Sequence, residues 1–199
     1  MNIRNFAFAL TALLLFALSV PSYGQVTADE RAKKADEILK KVHQLDLMNN
    51  LLPLVLTKEQ LGKFLPVMEK ARQSVREQEK IEYDFLMKLN PKVDSALTDA
   101  KTKGKVPGRE VINETWATFS MFTMRRKAIA DENVANVMKA FEGAINDGQR
   151  KTAINTVNPK QFDPTADPKT MSDAKKMEMF VRNILLDPAA YDLLVGMLK

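Results

Sequence analysis

The sequence predicts an all-α fold, and three observations carry that expectation. After Thr27, apolar residues recur at steps of three and four along almost the whole chain. Helix-capping and helix-ending residues fall between those runs. No alternating β-branched run marks a strand, and Asp147-Gly148 sits between helical patterns rather than extended ones. The two longest runs predict elongated antiparallel helical hairpins or a surface shared in a dimer, with extra C-terminal helices beyond them.

The chain opens MNIRNFAFALTALLLFALSVPSYG, in which Arg4 precedes an apolar run from Phe6 to Val20, followed by Pro21 and a small-x-small site ending at Gly24. This is the pattern of a signal peptide cleaved after Gly24, and its run is short for a spanning helix, which needs about 20 residues. Residues 1–24 are expected to be removed, placing the mature chain in the periplasm or outside the cell. Arg4 is the only charged residue in that segment, so the formal net charge falls from +5 to +4. That is mildly basic and does not predict a nucleic-acid partner. The chain has no cysteine, which in an exported protein removes disulfides, thiol catalysis and thiolate metal sites together.

The first helix is predicted over 28–49. Thr27 and Glu30 form a capping box, and Ala32, Ala35, Ile38, Leu39, Val42 and Leu45 follow at helical spacing. Leu51 to Leu56 form an apolar linker expected to lie against the core. Thr57 caps the next helix, its hydroxyl placed to accept from the backbone N–H of Gln60 while the Gln60 side chain reaches back to the Thr57 N–H. Leu61, Phe64, Met68, Ala71, Val75, Gln78, Glu82, Phe85 and Leu89 make a seam that continues across Pro66 and turns polar midway. Asn90-Pro91 is expected to end this helix and start a short one over 91–103, which Gly104 stops. The longest helix is predicted from Pro107-Gly108 to Ile145, with Ile112, Trp116, Phe119, Phe122, Ala130, Val134, Val137, Phe141 and Ile145 on one face. A break at Gly148, a short helix through Thr156, a Pro- and Asp-rich linker over 162–170 and two helices over 172–186 and 188–198 complete the chain.

Leu56-Thr57-Lys58-Glu59-Gln60 has the form L-T-x-x-Q, and Val157-Asn158-Pro159-Lys160-Gln161 repeats it with valine for leucine and asparagine for threonine. In an exported, helical, cysteine-free chain, this pair of caps resembles the LTxxQ-motif periplasmic proteins, the Spy/CpxP-like group. The resemblance covers residues 30–162, so the organisation expected is a signal peptide at 1–24, an LTxxQ-like helical core at 25–162 and a linker with a helical extension at 163–199. It implies a cradle-like homodimer whose concave face is basic with apolar patches. It also implies an ATP-independent chaperone of unfolded envelope proteins or a stress-signalling modulator of a membrane sensor kinase. The structural motif residues would be Leu56, Thr57, Gln60, Val157, Asn158 and Gln161.

A client-binding surface needs exposed apolar area interleaved with positive charge. Trp116, Phe119, Phe122 and Met124, followed at once by Arg125, Arg126 and Lys127, are the candidates for it. The bland reading of the aromatics is core, and of the basic triplet a solvated face. No cofactor is expected. His43 is the single histidine and reads as a surface or satisfied residue rather than a metal ligand, and Met171, Met177 and Met179 read as packing rather than a soft copper site. No nucleophile elbow or triad geometry is available, so the chain is not expected to be an enzyme. The alternatives to a binding role are a metal-responsive accessory protein or a purely structural envelope protein.

Overall fold

A computed structural model describes residues 28–198. The predicted signal peptide and the Thr27 half of the first capping box lie outside them. Every regular element among the described residues is helical. They are α1 (Ala28–Leu51), a 3-10 turn (Leu52–Leu54), α2 (Lys58–Lys103), α3 (Arg109–Glu142), α4 (Asp147–Thr156), α5 (Pro159–Phe162), α6 (Asp173–Phe180) with a π-helical continuation (Val181–Leu185), and α7 (Pro188–Gly196). No described helix is long and apolar enough to cross a membrane. The chain divides into two compact units, one ending at Val42 and the other starting at His43.

In the second unit, α2 and α3 pack as antiparallel partners. Phe64 meets Phe141 edge to face at 5.2 Å between ring centres, Phe85 meets Phe122 at 6.1 Å, and Lys92 bonds Glu114 near the far end. Most of the seam read from the sequence is buried, with Leu61, Phe64, Met68, Ala71, Gln78, Glu82 and Leu89 inside, but Val75 and Phe85 are exposed at its edge, where the two-helix contact is too narrow to cover them. Asn90-Pro91 does not end the helix, contrary to the sequence expectation, and α2 runs unbroken to Lys103. Pro91 removes one backbone N–H and leaves the Met87 carbonyl without its helical donor. Both residues are exposed, so water can satisfy that carbonyl, while Leu89 stays packed. The Asn90 amide donates to Asp94 one turn ahead instead of capping a new helix. Gly104, at φ 63°, then closes α2 by donating to the Ala100 carbonyl, a left-handed position where glycine avoids the Cβ clash.

The C-terminal helices share the hydrophobic core of the hairpin. Met177, Phe180, Val181, Ile184, Leu185, Ala190 and Leu194 are buried with Leu47, Leu51, Leu54, Phe64, Val137 and Phe141. Phe180 stacks on Phe141 at 5.7 Å. The five-residue widening after α6, in which Leu186 N–H bonds the Val181 carbonyl at 2.9 Å, directs Val181, Ile184 and Leu185 inward together. In α1 the buried positions are Leu47 and Leu51, and Leu45 faces out. The 3-10 turn places Leu54 inside and leaves Val55 exposed at φ 47°.

A β-branched residue in the left-handed region costs about 1–2 kcal/mol, against roughly 0.5–1 kcal/mol of added unfolded-state freedom for glycine. Val55→Gly is therefore expected to leave stability unchanged or raised in urea denaturation. A loss above ~1 kcal/mol would contradict the strain at this position.

Candidate functional site

The two ends of the hairpin differ in chemistry. At the base, Thr57 accepts from Gln60 N–H at 3.2 Å and the Gln60 side-chain oxygen accepts from Thr57 N–H at 3.0 Å, a complete capping box. Leu56 beside it is half-buried against the core. The matching cap is not the Val157-Asn158-Gln161 segment expected from the sequence. Asn158 caps only the one-turn α5, accepting from Lys160 N–H at 3.2 Å, while Val157 is buried and Gln161 exposed.

The second reciprocal box is Asn146 with Gln149, in Ile145-Asn146-Asp147-Gly148-Gln149 at the start of α4. Asn146 accepts from Gln149 N–H at 2.9 Å, and Gln149 Oε1 accepts from Asn146 N–H at 3.0 Å. The two boxes interlock. Gln60 Nε2 donates to Gln149 Oε1 at 2.7 Å and Gln149 Nε2 donates to Gln60 Oε1 at 3.0 Å. The remaining donor capacity binds loop carbonyls, Gln60 to Ala144 at 3.0 Å and Gln149 to Leu54 at 3.0 Å and Val55 at 3.3 Å. Each amide thus caps its own helix, pairs with the other cap and pins a connecting turn. Gly148, read as a break, lies in the first turn of α4, and Asn146 in front of it carried the missed signal: I-N-x-x-Q has the same chemistry as L-T-x-x-Q.

Midway along the hairpin the seam is polar. Buried Glu82 accepts from Gln78 Nε2 at 3.0 Å and from Arg126, whose Nε donates at 2.7 Å and whose Nη2 closes a second, short contact. This bidentate guanidinium holds the Glu82 carboxyl below the ordinary carboxylate range, with burial opposing it and Gln78 assisting. Nearer the base, buried Asn133 donates to the Ala71 carbonyl at 3.3 Å and to Ser74 at 3.0 Å.

The candidate client-binding residues are dispersed by this geometry. Phe122 is buried between Phe85 and Phe119, both at 6.1 Å. Phe119 is half exposed, Trp116 is 73% exposed and Met124 is 70% exposed. Arg126 is committed to Glu82, and Lys127 bonds Asp131 at 2.6 Å one turn ahead. Arg125 is exposed and, by helical periodicity, projects away from Trp116 and Phe119. The tryptophan and Phe119, with Ile112, instead form an exposed apolar stripe at helical spacing on α3, and Tyr83, Leu86 and Met87 are exposed on α2. These α2 residues did not enter the sequence reading of the surface, because the seam pattern draws attention only to positions facing α3.

His43 Nε2 lies 2.9 Å from Asp187 Oδ2, and Asp187 Oδ1 accepts from Ala189 N–H at 2.8 Å to cap α7. Met177 and Met179 are buried in the core and Met171 packs against it. Among the described residues no group of three or more His, Asp or Glu side chains is placed to hold a metal ion. No protein-family model, no curated protein and no solved structure matches the chain.

Two outcomes follow for the caps and the ion pair. Gln60→Ala and Gln149→Ala are each expected to cost about 1–3 kcal/mol, and in a double-mutant cycle their effects are expected to overlap by about 0.5–3 kcal/mol; additive losses in urea denaturation would contradict the interlock. For Glu82, the depressed folded-state value means that its contribution is present near neutrality and is lost as pH falls through that value, below the ordinary carboxylate range. The stability gap between the wild type and Glu82→Gln should therefore shrink on acidification. A gap that stays constant from pH 7 to about 3 would contradict this assignment.

Proposed function

We propose that this is an exported, ATP-independent binding protein of the LTxxQ kind, which holds apolar segments of unfolded envelope proteins on the far half of the α2–α3 hairpin. The observation that carries the reading is the apolar stripe of Ile112, Trp116 and Phe119, left open to solvent on a helix whose other half is buried on the same side. Soluble chains rarely leave a contiguous apolar surface of this kind without a use for it. Met87 and Met124 are also exposed on the two helices, flexible and polarizable side chains suited to varied partners. The leader-like residues 1–24 support an envelope address, and the L-T-x-x-Q cap at Leu56–Gln60, interlocked with the chemically similar Asn146–Gln149 cap, supports the family reading.

The arginine-lysine triplet has a smaller part in this proposal than the sequence assigned it, since Arg126 and Lys127 already have carboxylate partners. Binding then rests on apolar contact, and raising the salt concentration should weaken it little.

The test is aggregation of an unfolded model client, followed by light scattering. The mature chain should suppress it, and Trp116→Glu should reduce suppression on the order of tenfold while leaving the unfolding transition within about 0.5 kcal/mol of wild type. No suppression by the wild type at several-fold molar excess would overturn the proposal.

A further inference from the structure

The partner class of this surface follows from what already covers the neighbouring half of the same groove. On α3, Ile112, Trp116 and Phe119 lie at helical spacing from Val134, Val137 and Phe141 and so share one side. On α2, Tyr83 and Leu86 continue the side that carries Leu65, Met68 and Arg72 nearer the base. At the base this side is occupied by the chain's own C-terminal helices. Phe180, Val181 and Leu185 are buried in the core with Val134 and Phe141, and Tyr191 stacks under the Arg72 guanidinium at 4.3 Å. The cover stops where Arg182 bonds Asp131 at 2.9 Å. A cleft of about 460 Å³ opens there between Val75, Glu79, Ala130 and the C-terminal helices.

Beyond the cleft the same two helix sides continue, uncovered among the described residues. The α2 wall carries Tyr83, Leu86 and Met87, and the α3 wall carries Ile112, Trp116 and Phe119. The α3 wall from Ile112 to Thr123 is about 16 Å long at ~1.5 Å per residue, room for three turns of helix. An extended segment would present side chains alternately toward and away from this groove. A helix with apolar residues at i, i+3 or i+4, and i+7 would fill both walls, as Met177, Phe180 or Val181, and Ile184 or Leu185 do at the base.

We infer that the uncovered half of the groove takes an amphipathic α-helical segment of another polypeptide, docked end-on to the C-terminal helices as a continuation of their packing. This rests on the holding function proposed above and specifies its substrate class: helix-forming segments, in preference to extended apolar ones.

Trp116 is the only tryptophan in the chain and reports on this groove directly. The experiment titrates the full mature chain with two tryptophan-free synthetic peptides of identical composition, one with leucines at helical spacing and one with the same leucines alternating. The expected result is a blue shift of Trp116 emission with the helical peptide, a gain of helical circular dichroism on binding, and affinity about tenfold or more above the alternating peptide. Phe119→Glu and, from the opposite wall, Leu86→Glu should each abolish the shift, with unchanged circular dichroism of the free protein as the folding control. Equal affinity for both peptides would overturn the inference and leave the holding function standing. Suppression of client aggregation without either peptide shifting Trp116 would overturn it as well, placing clients elsewhere. An already blue-shifted Trp116 in a particle of twice the chain mass would overturn it in favour of a second copy as the occupant. Absence of both peptide binding and aggregation suppression would remove the holding function together with the inference.

Discussion

The second unit is governed by a mismatch of lengths. Helices α2 and α3 carry an apolar groove that extends well beyond the reach of the C-terminal helices packed into its base. Burial is the main favourable term in folding, and it is concentrated at the base, where Phe141 meets Phe64 edge to face and stacks on Phe180. Beyond Asp131 and Arg182 the hairpin continues as two helices joined by contacts such as Phe85–Phe122 and Lys92–Glu114. A two-helix hairpin buries a narrow seam, so the apolar residues flanking that seam remain accessible. Trp116, Phe119 and Tyr83 are exposed for this geometric reason, and their availability to a partner is a consequence of where the cover ends.

Polar interactions specify the arrangement that burial stabilises. At the base, the Gln60 and Gln149 amides satisfy helix-terminal N–H groups and loop carbonyls that packing alone would leave without partners. Along the seam, Ser74–Asn133 and Gln78–Glu82–Arg126 replace apolar contacts with directional ones. A one-residue slip of α3 along α2 would leave Glu82 buried without its guanidinium, a much larger penalty than the loss of an apolar contact. The pairing of buried Glu82 with the exposed Arg126 side chain thereby fixes the register of the thin half of the hairpin.

Much of this was legible in the sequence. The helical class, the Thr57–Gln60 box, the α2 seam and the C-terminal helices all follow from spacing and capping rules, since those rules act within a few residues. The continuation of α2 through Pro91 was not legible, because the loss of one hydrogen bond on an exposed face is overridden by packing and hydration that only the assembled hairpin supplies. The second cap was misplaced for a related reason: Val157-Asn158-Pro159-Lys160-Gln161 has a proline just after its cap, which favours a helix start, while Ile145-Asn146-Asp147-Gly148-Gln149 contains a glycine that reads as a break. Only the three-dimensional pairing of Gln60 with Gln149 distinguishes them. The α3 stripe was seen as continuous, and it is; its division into a covered and an open half depends on where residues 173–196 land, which periodicity does not encode.

The proposed binding role has two independent grounds, the L-T-x-x-Q resemblance at the base and the exposed aromatics at the far half. Both depend on a hairpin that is well packed at one end and thin at the other. Native-state hydrogen exchange of the full chain, read at single-residue resolution along α3, tests this most directly. Strong protection around Val134 to Phe141 with markedly faster exchange from Arg109 to Phe119 is the result expected of a half-covered helix. Uniform protection along all of α3 would show that the far half is covered too, and would contradict the account.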